Sequence, residues 1–369
     1  MPGAYSGNIT YLTSILQRHS LEVSVVGIST KIMDEQANRK IVIGDGLVAQ
    51  AKGALEAIRK AREIRPGAVI ITQAGSMFTA ALSLALRAIG TRVIYFCADP
   101  PIEMIKLRAL NSAIKWLLVW WLRLSQPIID RFVDSTLSVS PGLDALMRNT
   151  GWKGKIRRFY NVHHTNIHGR AEESNFRRNL RWEDDVVVVY AGAYQKNFRG
   201  IEHQLRAVAL ARSMGASIKF LGIGYFEAAY YYPDYFPDLA KSLGLEHHSA
   251  FYASQDAQTL SHYLADSDAA VSNSLPWALP SKIFEYINNG VEIISIQGDN
   301  DVNKLCDGFV TLYDGSTEDL ARALMGIKRR NLNQRKFKGP AFCQALRLES
   351  EYSVGQALTD LGLTRKSVS

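Results

Sequence analysis

Short apolar runs alternate with helix-length amphipathic segments along almost the whole chain, and that alternation fixes its fold class. Strands that alternate with helices pair in parallel and need the helices as covers for the sheet faces, so the chain reads as α/β with parallel sheets. In the first half, strands are expected at 22–28, 68–73, 92–98, 136–140 and 156–160, and helices at 9–19, 48–64, 78–89, 105–124 and 141–149. In the second half, strands are expected at 186–191, 217–221, 249–252, 269–272 and 292–296, and helices at 202–214, 237–243, 257–265, 281–288 and 317–327. A last helix is expected at 340–361, after a basic stretch at 328–338. A chain of 369 residues exceeds one typical domain and suits two. The polar, charged segment 164–184 is the expected linker, between a domain at 1–163 and one at 185–339, with 340–369 as a C-terminal tail.

With 47% hydrophobic residues the chain has ample material for a core in each half. Its three cysteines, Cys97, Cys306 and Cys343, are odd in number and widely spaced. They read as reduced core thiols in a cytosolic compartment, with no metal-ligand spacing. The polar, glycine-containing N-terminus does not read as a signal peptide. The net charge of +8 calls for an anionic partner, yet no nucleic-acid module is visible among the basic residues.

The segment from Ala269 to Tyr286 carries the most chemistry. An apolar strand runs into the polar turn Ser272-Asn273-Ser274-Leu275-Pro276, and Pro280 stands where the next helix begins. Proline suits the first helical position, because its missing N–H would be unpaired there in any case. A helix N-terminus is a natural seat for phosphate, and Ser281 and Lys282 add a hydroxyl and a positive charge. Glu285 follows four residues after Ser281, on the same face. Its carboxylate accepts hydrogen bonds only, which suits paired sugar hydroxyls such as those of a ribose. Phosphate at the helix mouth and ribose one turn deeper describe a nucleotide diphosphate. The same residues also fit an ordinary strand–turn–helix with a capping serine.

From Leu279 to Ile294 the pattern resembles the donor-binding signature of GT-B glycosyltransferases, especially the large retaining family that includes many bacterial polysaccharide and lipopolysaccharide enzymes. There a serine–lysine pair precedes the ribose-binding glutamate, and a glycine near Gly290 precedes the next strand. The resemblance implies two Rossmann-like parallel-sheet domains facing across a cleft, with the C-terminal helix crossing back to the first domain. Pro2–Asn8 resembles the loop after the first strand of the N-terminal domain, a strand missing from this sequence; a mis-set start or truncation is the plain explanation. On that reading Gly7 brings backbone N–H groups to the donor diphosphate at the start of helix 9–19. After strand 186–191, Arg199 matches the family's basic residue before the helix-opening Gly200. Ala193 stands where a second basic residue is usual, and Lys196 is its expected substitute. Tyr252, within Phe251-Tyr252-Ala253-Ser254, holds the nucleobase position, and is equally consistent with core.

Two departures count against a simple transfer of the family's chemistry. Trp277 stands where the family's second glutamate is usual, and Asn161-Val162-His163-His164 replaces the familiar turn between domains. Those histidines read as hinge residues rather than metal ligands. Asp99, in Cys97-Ala98-Asp99-Pro100-Pro101, ends a parallel strand, where α/β sheets keep their ligand crevice. It is the expected catalytic group toward an acceptor hydroxyl, with helix capping as the plain alternative. The aromatic cluster 225–236 reads mainly as packing or interaction surface.

Segment 106–124 is basic, apolar and rich in tryptophan. On one helix, Leu107, Leu110, Ile114, Leu117, Leu118 and Trp121 share a face. Arg108, Ser112, Lys115 and Arg123 gather away from it, with Trp116 and Trp120 beyond Arg123. Such a helix lies in a membrane interface without crossing it, so Lys106, Arg108, Lys115, Trp116, Trp120, Trp121 and Arg123 are the expected interface residues. A core-facing amphipathic helix is the alternative.

These readings converge on a metal-independent, hexosyltransferase-type glycosyltransferase, retaining by resemblance, peripheral on the cytoplasmic face of the cell membrane. It would need no cofactor, take a UDP-linked donor and serve a glycan or lipid-linked acceptor in cell-surface polysaccharide synthesis. The alternatives are a catalytically silent GT-B partner subunit and a nucleotide-sugar epimerase.

Overall fold

Among the described residues every strand pairing is parallel. The computed structural model describes residues 4–19, 26–29, 39–42, 47–72, 77–107, 111–162, 176–196, 200–226, 234–273, 275–328 and 338–363. Contacts divide the chain into one unit of Met1–Tyr160 with Arg347–Ser369 and another of Asn161–Leu346.

The first unit contains α1 (Ala4–Arg18), β1 (Val26–Ser29), β2 (Arg39–Val42), α2 (Leu47–Ile64), β3 (Ala68–Thr72), α3 (Met77–Ala88) and β4 (Arg92–Cys97). After these come α4 (Pro101–Leu107), α5 (Ser112–Phe132), β5 (Ser135–Ser138), α6 (Pro141–Asn149) and β6 (Ile156–Arg158). Strands β3-β4-β5-β6 form one sheet, and β1 pairs with β2. Val93 to Cys97 are buried, and Tyr95 stacks on Trp152 at 5.6 Å. Asp134 pins the start of β4, accepting from the Val93 amide (2.8 Å) and from Arg87 (2.9 Å).

The second unit contains α7 (Phe176–Leu180), β7 (Val186–Tyr194), α8 (Ile201–Ser213), β8 (Ile218–Phe226), α9 (Tyr235–Ser242), β9 (Ser249–Ala253), α10 (Ala257–Ala265) and β10 (Ala269–Ser272). It continues with α11 (Ser281–Asn288), β11 (Glu292–Ile296), α12 (Asp301–Leu305), β12 (Val310–Tyr313) and α13 (Thr317–Gly326). Its sheet runs β12-β11-β10-β7-β8-β9. The chain therefore starts in the middle, builds outward to β9, and returns to β10 on the other side of β7. The last helix, α14 (Lys338–Asp360), gives its first turns to the second unit and the remainder to the first.

Several expectations are corrected. Helix 9–19 begins at Ala4, so Gly7 lies inside α1 and not in a turn before it. The strand expected at 22–28 is described at Val26–Ser29, and β2 was not foreseen, since Arg39-Lys40-Ile41-Val42 carries only two apolar residues. The single helix expected at 105–124 is two: α4 ends at Leu107 and α5 restarts at Ser112, where the Asn111 side chain accepts from the Ala113 amide as N-cap. β12 and α12 were also unforeseen.

The later part of the expected linker is packed structure. Phe176 and Trp182 are buried. Arg177 donates to the Asp266, Trp182 and Asp185 carbonyls and to Asp268 at 2.6 Å. Asp268 is almost fully buried and also accepts from the Val187 amide, so this ion pair joins α7, β7 and the start of β10. Removing one partner of a buried pair leaves an uncompensated charge, at a cost of roughly 3–5 kcal/mol. Arg177→Ala is expected to lower the stability of the second unit by about 3 kcal/mol in urea unfolding, whereas Arg178→Ala, one residue along, should change it by less than about 0.5 kcal/mol.

The cysteines are free and buried, and burial pushes the Cys97 and Cys306 thiols up to about 12. Among the described residues no helix is long and apolar enough to cross a membrane.

Candidate functional site

The second sheet changes winding direction between β7 and β10, which lie side by side. Helix α8 leaves β7 toward β8, and α11 leaves β10 toward β11. Right-handed crossovers carry these helices to opposite faces, opening a crevice at the carboxyl ends of β7 and β10. Packing agrees: α8 lies against α9 and α13, and α11 against α10. Residues 192–196, 200, 273 and 275–280 form the described part of the rim.

Two helix N-termini meet that rim. At α8, Gly200 has φ +70°, a left-handed conformation, and a Cβ there would overlap the Asn273 amide nitrogen; only glycine serves on both counts. Asn273 is fixed from behind, since Tyr313 Oη donates to its Oδ1 at 2.5 Å. At α11, Pro280 is the N-cap rather than the first helical residue, its carbonyl accepts from the Ile283 amide, and no side chain caps the helix. The positive end of the α11 dipole thus faces the crevice.

Lys282 holds its Nζ 4.5 Å from the centre of the buried Tyr190 ring, in cation–π geometry. Tyr190 Oη in turn donates to the Ala193 carbonyl at 2.7 Å. One turn on, Glu285 is half-buried, and no hydrogen-bond partner meets its carboxylate among the described residues. Burial pushes its carboxyl up to about 7, against the opposing pull of Lys282. Tyr286 Oη accepts from the Ala191 amide at 2.9 Å and so locks α11 to β7 across the crevice floor.

The structure therefore brings Ser281, Lys282 and Glu285 together along α11 beside the end of β7. Lys196 is exposed after β7, with Nζ 4.5 Å from the Tyr235 ring. Tyr252 is half-buried on β9; its carbonyl accepts from Tyr194 Oη, its ring tilts against Tyr263, and burial raises its hydroxyl pKa. Trp277 is half-buried in the rim segment. Arg199, Arg108, His163 and His164 lie outside the described residues. Asp99 is exposed in the first unit between β4 and α4, and its carbonyl accepts from the Cys97 thiol. Tyr190, Tyr286, Asn273 and Tyr313 escaped the sequence reading, because their relevance arises from register between strands distant in sequence. Asp268 is engaged with Arg177, and Asp299 pairs with Lys304.

On α5 the faces differ from those drawn on a single helix. Leu122, Ser125, Gln126 and Ile129 are buried, with Leu118 partly so, while Ile114, Trp116, Leu117, Trp120, Trp121 and Leu124 form one exposed arc. Trp116, at 68% exposure, thus belongs with Trp121 on the open side. Lys115 turns back to donate to the Lys106 carbonyl, and Lys106 pairs with Glu103. Arg123 is exposed beside the arc.

The Glu285 carboxyl supplies a signed test. Its folded value of about 7 exceeds its ordinary 4.5, so its share of stability is fully present below pH 4.5 and is lost as pH rises through 7. Glu285→Gln should therefore stabilise the protein above pH 7, by about 3 kcal/mol, and change little at pH 4, as read by thermal unfolding across pH.

Residues 172–338, somewhat under half of the chain, match the family model described as glycosyl transferases group 1. No curated protein sequence matches the chain. Among solved structures, Anabaena Alr3699/HepE in complex with UDP-glucose superposes with a TM-score of 0.67 at 15% identity, covering 98% of this chain and 95% of that one. A glycosyltransferase from Rickettsia africae ESF-5 gives 0.67 at 12% identity, covering 96% and 94%. A putative UDP-N-acetylglucosamine 2-epimerase from Listeria monocytogenes gives 0.61 at 13% identity, covering 97% and 93%. At these identities the structural likeness speaks to the fold.

Proposed function

The chain has the GT-B fold and carries a glycosyl transferases group 1 domain over residues 172–338, and on that premise we propose that it transfers a sugar from a nucleotide-diphosphate donor to a glycan or lipid-linked acceptor. The observation that carries this reading is α11: an uncapped N-terminus with Ser281, Lys282 and a desolvated Glu285 at the strand-order switch of the sheet. The diphosphate would sit between the N-termini of α8 and α11, with Ser281, Lys282, Lys196 and Arg199 as its polar and positive partners. Developing charge on the leaving diphosphate is then met by preorganised dipoles and ammonium groups, which is electrostatic stabilisation without a metal ion. Glu285 would hold the ribose hydroxyls, and Tyr252 would border the base. The UDP and UDP-glucose held by the Anabaena protein support uracil as that base. Asp99, at the carboxyl end of β4, would receive the acceptor proton. We expect retention of the sugar's configuration and a hexosyl donor, by resemblance.

The exposed arc of α5 favours a peripheral place on the cytoplasmic face of a membrane, where a lipid-linked acceptor of surface polysaccharide synthesis would be met. Three exposed tryptophans flanked by Lys106, Lys115 and Arg123 suit an anionic interface. The likeness to an epimerase keeps a second reading in view: epimerisation of the same donor with no acceptor. Trp277, in place of a second carboxylate, is the feature that favours a silent partner subunit.

Calorimetry with UDP, GDP and UDP-sugars separates these. UDP binding is expected, weakened about tenfold or more in Lys282→Ala, as for loss of a ~1.5–3 kcal/mol charged hydrogen bond, and abolished in Glu285→Ala. Slow hydrolysis of the matching UDP-sugar supports transfer; interconversion to its epimer supports the second reading; absence of nucleotide binding by the folded protein leaves the silent subunit. Vesicle sedimentation tests the membrane contact: binding to anionic vesicles should fall at least fivefold in Trp116→Ser/Trp120→Ser.

A further inference from the structure

Asn273 is the first residue past β10, and its side-chain amide is held the reverse of the way a helix mouth would choose. It is exposed on the crevice wall beside Gly200, the N-cap of α8, and no side chain caps that helix. The unpaired amides and positive dipole end of a helix N-terminus draw an oxygen acceptor, and an asparagine there ordinarily offers its carbonyl. Here that oxygen is already engaged. Tyr313 reaches from β12 to donate to Asn273 Oδ1 at 2.5 Å. That length is proper to O–H···O and short for N–H···O, so the oxygen and not the nitrogen faces the phenol. The nitrogen is left on the α8 side, so close to Gly200 that a Cβ there would overlap it.

The tyrosine that imposes this is itself fixed. Its ring is buried in the core of the second unit and stacks against the His203 ring of α8 at 6.0 Å. Thr317 Oγ1 lies 3.4 Å from His203 Nδ1, which ties that ring to α13. Burial pushes the Tyr313 hydroxyl up to about 12, so at neutral pH it keeps a hydrogen to donate. Among the described residues no acceptor meets Asn273 Nδ2. Two N–H donors therefore stand at the positive end of α8 with their direction set by the core, an arrangement that an anionic oxygen completes.

The order of groups along the crevice says which oxygen. Glu285, the ribose partner on the donor-binding reading, lies one turn inside α11, so the phosphate next to the ribose falls at the mouth of α11. The next phosphate out is then the one on the α8 side. We propose that Asn273 binds the outer phosphate of the nucleoside diphosphate, donating from Nδ2, and that Tyr313 is its positioning residue. On the donor-binding reading, which this assignment presupposes, Asn273 is the residue that tells a diphosphate from a monophosphate.

The test is calorimetry on the full-length protein with UDP and UMP, and with GDP and GMP alongside. Asn273→Ala should weaken the bound diphosphate about tenfold and leave the monophosphate unchanged, as for loss of one hydrogen bond to a charged group. Asn273→Asp keeps the size and the bond from Tyr313 but sets a carboxylate against phosphate, so it should weaken the diphosphate further than alanine does. Tyr313→Phe should weaken the diphosphate about fivefold, again sparing the monophosphate, and should add nothing in the Asn273→Ala background. A merely structural tyrosine would lower both nucleotides or neither. Asn273 is exposed, so its variants leave the core intact even if Tyr313→Phe does not fold. Equal loss of diphosphate and monophosphate in Asn273→Ala, or loss of neither, overturns the assignment and leaves the donor site standing. Failure of the wild type to bind either UDP or GDP overturns the assignment and the donor reading together.

Discussion

The adjacency of β7 and β10 is the constraint on which the second unit depends. A chain that starts in mid-sheet, winds outward to β9 and then returns must send the helices after β7 and β10 to opposite faces. No side chain creates the crevice between them; strand order does. Side chains then stiffen it. The bond from the Ala191 amide to Tyr286 Oη ties the helix that carries Ser281, Lys282 and Glu285 to the neighbouring strand. Tyr313 holds Asn273 against Gly200 on the other wall. Each tyrosine is buried and spends its hydroxyl on the site's backbone or rim, so the positions of the polar groups are set by core packing.

Glu285 shows what such a site costs. A carboxylate placed where burial holds its pKa near 7 is disfavoured in the folded state, and nothing within the described residues compensates it beyond Lys282. Lys282 itself rests over Tyr190. Both groups are therefore held in positions that a polyhydroxylated, diphosphate-bearing ligand would relieve, one by donating to the carboxylate and the other by drawing the ammonium off the ring. Stability given up at a polar pocket is the usual companion of binding function.

Much of this was legible in the sequence where local signals agree with tertiary demand. β10, α10, α11 and β11 sit as expected because each apolar run is bounded by turn residues: Ser267–Asp268 before β10, Pro280 before α11, Gly290 after it. The i, i+4 spacing of Ser281 and Glu285 is a property of one helix and survives any tertiary arrangement. What failed to read has equally physical causes. β2 is nearly as charged as a loop, and it is a strand by virtue of its pairing with β1. The boundary before α5 rests on one asparagine cap inside a strongly helical pattern. The face that α5 buries is chosen by its packing against α3 and α4, which no helical wheel contains.

That choice of face bears on the first unit. A helix of this length has material for one apolar stripe, and α5 spends its later half, Leu122 to Ile129, on the core. The earlier half then carries a second arc, Ile114, Trp116, Leu117, Trp120, Trp121 and Leu124, that packing among the described residues leaves exposed. Tryptophan is a costly residue to leave in water, since its area is large and its one donor is satisfied as well at an interface as in solvent. Arg123 borders the arc without interrupting it. Asp99 opens the loop that leads through α4 into this same helix, so the polar end of β4 and the apolar arc belong to one continuous segment of chain. On the proposed transferase reading, an acceptor with a hydroxyl at one end and a hydrocarbon anchor at the other would match that order of chemistry, and a free sugar would leave the arc without a role.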